Sequence, residues 1–195
     1  QIDGKSFMVA SQWGQSGFRS YRIRDELSVE HKRHFADSDT AHIEDVTAMA
    51  SVDVDGRNYF FTASAAENGV TAWWMGRWGN IKERGSLDAE DGLWVSAPSA
   101  LDTAVVDGTA YLLLGAAGSN SLTVMKVNQW GGLFVKDHEI DTLDTRFAGV
   151  SALDSFVVGE RSFVLAGGED DGLTLFELAP GGKLVERATV ADATD

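Results

Sequence analysis

The chain has 195 residues, 44% of them apolar and 24% charged, with a formal net charge of -14, no cysteine, 21 glycines and 2 prolines. That charge excludes the basic surface needed to neutralise phosphate, so neither nucleic acid nor anionic lipid is an expected partner. The lack of cysteine excludes a disulfide framework and a thiolate metal site, and no apolar run reaches the roughly eighteen residues of a helical membrane span.

In chain order the first marked feature is Asp3-Gly4-Lys5, followed by the aromatic Phe7. The same signal returns as Asp55-Gly56-Arg57 with Tyr59, and as Asp107-Gly108-Thr109 with Tyr111, each copy 52 residues after the last. Gly159-Glu160-Arg161 with Phe163 stands a further 52 residues on. Tyr21, Trp73, Met125 and Phe176 hold a second register, the last one residue early. Val46, Pro98 and Val150 hold a third, and Met49, Leu101 and Leu153 a fourth. Such regularity is the sequence signature of a repeat architecture.

Each unit reads as four short strands. In the clearest copy they are 99–106, 110–115, 122–127 and 133–140, separated by Asp107-Gly108, by 117–120 and by Trp130-Gly131-Gly132. Asp-Gly and Gly-Gly between apolar or alternating runs are hairpin signals, because those residues tolerate positive φ. Four antiparallel strands in a repeat of about fifty residues predict an all-β chain of β-propeller blades. A single blade has two apolar faces and buries them only against its neighbours. The aromatic and aliphatic registers are therefore expected to fill the layers between blades.

Segments such as VVDGTAYLLLGAAGSNSLTVMKVNQWGGL and VVGERSFVLAGGEDDGLTLFELAPGGKL resemble the YVTN and lactonase-like propeller repeats of large secreted bacterial proteins, often found beside RTX calcium-binding regions. The RTX nonapeptide itself is not in this sequence, so its calcium sites do not carry over. The resemblance implies that the run before each Asp-Gly is the inner strand. It places full blades at 46–88, 98–141 and 150–190, and a blade lacking its inner strand at 1–37. About four blades are fewer than the six to eight that the resemblance implies, so the ring is expected to be incomplete. The Gln1 start, without Met or leader, reads as a processed chain or a piece of a longer one. The remaining blades of the same propeller are then one expected partner.

Acidic residues recur in the connections between blades: Asp37 and Asp39, Asp88 and Asp91, Asp141 and Asp144, Asp192 and Asp195. Glu67-Asn68, Asn120 and Glu169-Asp170-Asp171 are expected on the same face. Converging oxygens there would suit calcium, which takes six to eight of them, and Asp88, Asp91, Asp141, Asp144, Asp192 and Asp195 are the candidate ligands. The same residues are also ordinary turn formers. His31 and His34, three apart on a strand, are expected on opposite faces, and His42 lies in a linker near Glu44 and Asp45. Trp78 and Trp130 are 52 apart in outer hairpin turns, and Trp13 lies in a polar loop. These three are candidates for stacking on a glycan or protein partner, or for covering a blade edge. Trp73, Trp74 and Trp94 are expected in the packing.

No nucleophile elbow, phosphate loop, dinucleotide fingerprint or His-Glu-x-x-His occurs. The inner strands VTAMASV, PSALDTAVV and VSALDSFVV are apolar and alike, unlike the channel mouth of a single-site enzyme. The expected function is therefore a non-catalytic binding or structural propeller of an exported or surface-associated bacterial protein. It would engage protein or glycan at an extracellular or cell-surface location. The alternative is a lactonase-like hydrolase with a metal on the acidic loop face.

Overall fold

The computed structural model describes residues 1–12 and 14–191. Four antiparallel sheets follow one another along the chain. The first contains β1 (Ser6–Ser11), β2 (Phe18–Ile23) and β3 (Val29–Phe35). The second contains β4 (Val46–Val54), β5 (Arg57–Ser64), β6 (Gly69–Met75) and β7 (Ile81–Leu87). The third contains β8 (Pro98–Val106), β9 (Thr109–Ala116), β10 (Ser121–Val127) and β11 (Leu133–Ile140). The fourth contains β12 (Ala152–Val158), β13 (Arg161–Gly167), β14 (Gly172–Ala179) and β15 (Lys183–Ala191). Strand order in every sheet is sequence order, so each sheet is a meander of hairpins. The first hairpin of the second and third sheets turns at Asp55-Gly56 and Asp107-Gly108, with φ of 51° and 76° and of 48° and 71°. Those are the values an Asn/Asp-Gly turn supplies cheaply.

The sheets stack face to face, and each interface buries its own core. Phe18, Ile43, Phe60 and Trp73 fill the layer between the first and second sheets. Tyr59, Phe61, Leu112, Leu114 and Met125 fill the next, and Tyr111, Leu113, Val124, Phe147 and Phe176 the third. Among the described residues no core cluster joins the fourth sheet to the first, so the four sheets form an open arc.

A repeated joint sets how closely neighbouring sheets approach. The aromatic three residues past each Asp-Gly turn lies against a glycine in the outer hairpin of the next sheet. A Cβ at Gly79 would meet the Phe7 ring at 2.4 Å, and one at Gly131 or Gly182 would meet Tyr59 or Tyr111 at 2.7 Å. All three glycines have left-handed φ, of 77°, 86° and 86°. Tyr59 also donates its hydroxyl to the Gln129 carbonyl at 2.9 Å.

Every outer pair of strands carries a bulge at the same register, so Lys32, Arg84, Lys136 and Arg187 each lack a cross-strand partner. The sequence does not announce this bulge, and it changes one expectation. His31 lies opposite Tyr21 and His34 opposite Arg19, so both histidines share one face. Simple alternation fails there because the extra residue Lys32 shifts the pleat by one. Trp94 departs from expectation too: it is 74% exposed, whereas Trp73 is buried.

In the fourth sheet, Glu177 of β14 lies between Arg161 and Arg187, with Nε–O distances of 2.8 and 2.7 Å. The hydrogen bond from Arg161, helped by Arg187 and opposed by desolvation, pulls the Glu177 carboxyl from 4.5 to about 2. A depressed carboxyl stabilises the fold above its unfolded value and loses that contribution as pH falls through the folded one. Glu177→Gln is therefore expected to flatten the acid side of the stability curve between about pH 4.5 and pH 2. Urea titrations across that range measure it. The glycine joint gives a second expectation. Gly131→Ala should cost about 2 kcal/mol from overpacking and a left-handed backbone. Gly85→Ala, with open space around it, should stay within about 0.5 kcal/mol of the parent in the same titrations.

Candidate functional site

The loops at one end of the arc carry most of the acidic candidates, and their oxygens are largely engaged by the chain itself. Asp45, Ala97 and Gly149 share a register and all have left-handed φ, of 49°, 48° and 60°. Two of them are held from the preceding sheet. Ala97 N donates to Asn68 Oδ1, and Gly149 N donates to Asn120 Oδ1, both at 2.8 Å. Asp141 Oδ1 accepts from Thr145 Oγ1 at 2.8 Å and from Phe147 N at 3.0 Å, closing a loop that buries Phe147. Asp37 does the same for Ile43 N at 3.4 Å. Asp88 Oδ1 accepts the Glu90 amide at 2.7 Å and the Asp91 amide at 3.4 Å. Asp144 is exposed, and its amide donates to Thr142 Oγ1 at 3.3 Å. Among the described residues no three His, Asp or Glu side chains gather in a metal-holding group. Asp192 and Asp195 lie outside the described residues, as does Trp13.

His42 is the one histidine that this face organises. Its Nδ1 lies 3.5 Å from Glu67 Oε1 and its Nε2 3.5 Å from Asp88 Oδ2. Its backbone amide donates to Thr71 Oγ1 at 2.9 Å, fixing the linker against β6. The sequence placed His42 near Glu44 and Asp45. The side chains that flank it come instead from the β5–β6 loop and from the end of β7.

The opposite arrangement holds at the outer hairpin turns. Asn128 Oδ1 accepts the amides of Trp130 and Gly132, both at 2.8 Å, and so forms the turn that projects Trp130. Trp78 and Trp130 are 61% and 60% exposed. Each carries a cation from the preceding sheet over its ring: Lys5 Nζ 3.8 Å from the Trp78 centroid, and Arg57 Cζ 4.4 Å from that of Trp130. Arg77 also lies over Trp78 at 5.1 Å, and Arg84 over Trp74 at 5.3 Å. The two rim tryptophans line a groove of about 840 Å³ together with Arg57, Arg77 and Arg84. Among the described residues neither Lys5 nor any of these arginines forms an ion pair. Asp3 and Asp53 also border this groove, which carries one more arginine than carboxylate in a chain of net charge -14. The tryptophans were legible from their 52-residue spacing. Their cations follow the Asp-Gly turns at the same spacing, a signal that becomes informative only once the turn of one sheet is known to reach the next.

No protein family matches this sequence, and none of the curated proteins is similar to it. Solved structures are similar in fold. The periplasmic gluconolactonase PpgL of Pseudomonas aeruginosa superposes with a TM-score of 0.66 at 18% identity, over 94% of this chain and 50% of that one. A Lactobacillus plantarum protein superposes with a TM-score of 0.67 at 14% identity, over 95% and 54%. An exo-β-1,3-galactanase from Phanerochaete chrysosporium superposes with a TM-score of 0.62 at 10% identity, over 96% and 48%. The chain thus spans about half the length of these structures. With its four successive meander sheets, it has the β-propeller fold.

The loop face yields a test of its structural role. Asn120→Ala and Asp141→Ala should each lower the unfolding free energy by about 1 kcal/mol or more, because each leaves a loop amide without its acceptor. Denaturant titration of the two variants measures this.

Proposed function

We propose that the chain is a non-catalytic binding or structural propeller module of an exported or surface-associated bacterial protein, and that its ligand is a glycan bearing carboxylate or sulfate groups. The observation that carries this reading is the tryptophan-lined groove with its unpaired cations. Exposed indole faces favour the apolar face of a sugar ring, and arginine favours a planar carboxylate through paired donors. The reading extends the resemblance to YVTN and lactonase-like repeats of secreted proteins. It is also in keeping with inner strands that are apolar and alike.

Titration calorimetry with an oligogalacturonate, and with a neutral β-1,3-galactan fragment as control, tests the reading. The acidic sugar is expected to bind, and Arg57→Ala combined with Trp130→Ala to weaken it about tenfold or more. Absence of binding by acidic sugars would remove the glycan. The lactonase-like hydrolase is a second reading, favoured by His42 between Glu67 and Asp88. It requires turnover of a sugar lactone that His42→Ala abolishes.

A further inference from the structure

The linkers that enter the second and fourth sheets are pinned in the same way. His42 N donates to Thr71 Oγ1 at 2.9 Å, and Arg146 N to Thr174 Oγ1 at 2.7 Å. The side chains of both residues lie on a glycine of the sheet they enter. A Cβ at Gly69 would meet the His42 ring at 2.4 Å, and one at Gly172 the Arg146 stem at 2.7 Å. Trp94 holds the same register in the linker to the third sheet, 52 residues from each. There the glycine is replaced by Ser121, fully buried, with its Oγ 2.7 Å from Ser119 Oγ. The threonine is kept as Thr123, but its hydroxyl is paired with His138 Nδ1 at 2.8 Å. The second and fourth sheets have the smaller Ser86 and Thr189 opposite their threonines. Ser121 and His138 together take away the seat of this linker, and Trp94 is 74% exposed.

Two further apolar side chains are exposed around the same turn. Ser96 N donates to Ser119 Oγ at 3.1 Å, which ties the Trp94 linker to the turn between β9 and β10. Asp141 N donates to the Asn120 carbonyl of that turn at 2.8 Å, which ties down the end of β11. Ile140 precedes Asp141 and Leu143 follows it, 59% and 92% exposed. The third sheet is packed on both faces, so this is not the exposure of a sheet without a neighbour. A group of exposed apolar side chains marks an interaction surface where a single one does not.

The charge around this surface is negative. Residues 88–97 and 117–120 contain no Lys or Arg. Glu90, Asp91 and Asp144 are exposed and, among the described residues, take part in no ion pair. Arg146 turns its guanidinium back to the Leu143 and Thr145 carbonyls, at 3.0 and 2.8 Å. Trp78 and Trp130 show what an exposed indole attracts in this molecule, since each has a Lys or Arg over its ring. Among the described residues no cation lies over Trp94.

We propose that Trp94, Ile140 and Leu143 form a docking site for a basic segment of a partner protein, with an arginine of that segment lying over the Trp94 ring. The guanidinium plane stacks on the indole, and the flanking carboxylates face its charge. Apolar residues beside that arginine cover Ile140 and Leu143. The carboxylates steer the segment in, and the tryptophan holds it. This inference goes beyond the glycan reading and stands without it, because the rim tryptophans and Trp94 belong to different loops.

The test labels the full chain with fluorotryptophan and follows the fluorine resonances of its six tryptophans, that of Trp94 being assigned through Trp94→Leu. The probe is a capped peptide Gly-Leu-Arg-Leu-Arg-Gly. At about millimolar peptide the Trp94 resonance is expected to shift saturably while those of Trp78 and Trp130 stay in place. The same peptide with citrulline for arginine keeps the shape and loses the charge, and should bind about tenfold more weakly. Trp94→Leu should weaken the arginine peptide about fivefold in calorimetry, and Ile140→Ser with Leu143→Ser about threefold. All three side chains are exposed, so the urea midpoint of each variant should match the parent, which separates lost binding from lost folding. Equal binding by the citrulline peptide, full binding to Trp94→Leu, equal shifts at Trp78 and Trp130, or no shift at about ten times that concentration overturns the proposal. So does an oligogalacturonate or a β-1,3-galactan fragment that shifts Trp94 where the arginine peptide does not, because the ligand there is then a glycan.

Discussion

Neighbouring sheets are held at their spacing by one contact repeated three times, a ring lying on a glycine. Phe7 meets Gly79, Tyr59 meets Gly131, and Tyr111 meets Gly182. The glycine has to lack a Cβ, because the ring occupies the place where one would be, and it has to accept a left-handed φ to close the outer hairpin. With the outer edges pinned this way, the apolar faces come close enough to interdigitate, and the inner strands come close enough for hydroxyl-to-carbonyl rungs. The bulge serves the same contact. Its unpaired residue in the second and third sheets, Arg84 or Lys136, lays its aliphatic stem on the same glycine, with a hypothetical Cβ contact of 2.9 Å at Gly131 and at Gly182.

This joint explains which parts of the structure the sequence discloses. The ring, the glycine and the Asp-Gly turn each recur every 52 residues, or 51 after the single deletion, because each joint needs all three. Sheet number, strand order and core registers are therefore readable in advance. The bulge is not, since a basic residue in an alternating outer strand looks the same whether it is paired or extra. The two histidines of β3 were misplaced for that reason alone. Trp94 misled in another way: large aromatic character suggests burial, but the linker buries its neighbour Leu93 instead.

The acidic loops show a different limit. Composition identified Asp88 and Asp141 as oxygen donors, which they are, but it could not say to what. The structure directs their oxygens to amides of their own loops, and Asn68 and Asn120 to left-handed residues of the next linker. An Asp or Asn that recurs with the repeat is thus more informative about loop closure than about a ligand. Turn chemistry is needed in every blade and a ligand in only one place.

Departures from the repeat are consequently where a specific surface can arise. The cation on an exposed tryptophan is present at the first joint as Lys5 and Trp78 and at the second as Arg57 and Trp130. At the third joint Thr109 and Gly181 take those positions, so both halves of the pair are lost together. The aromatic-on-glycine contact persists there through Tyr111 and Gly182. Packing of the sheets therefore does not require the cation or the tryptophan, and their pairing at two joints follows from something other than blade assembly. The groove that they line adjoins a second groove between β1 and β4, since Gln1, Ile2, Asp53, Asn58, Tyr59 and Met75 border both.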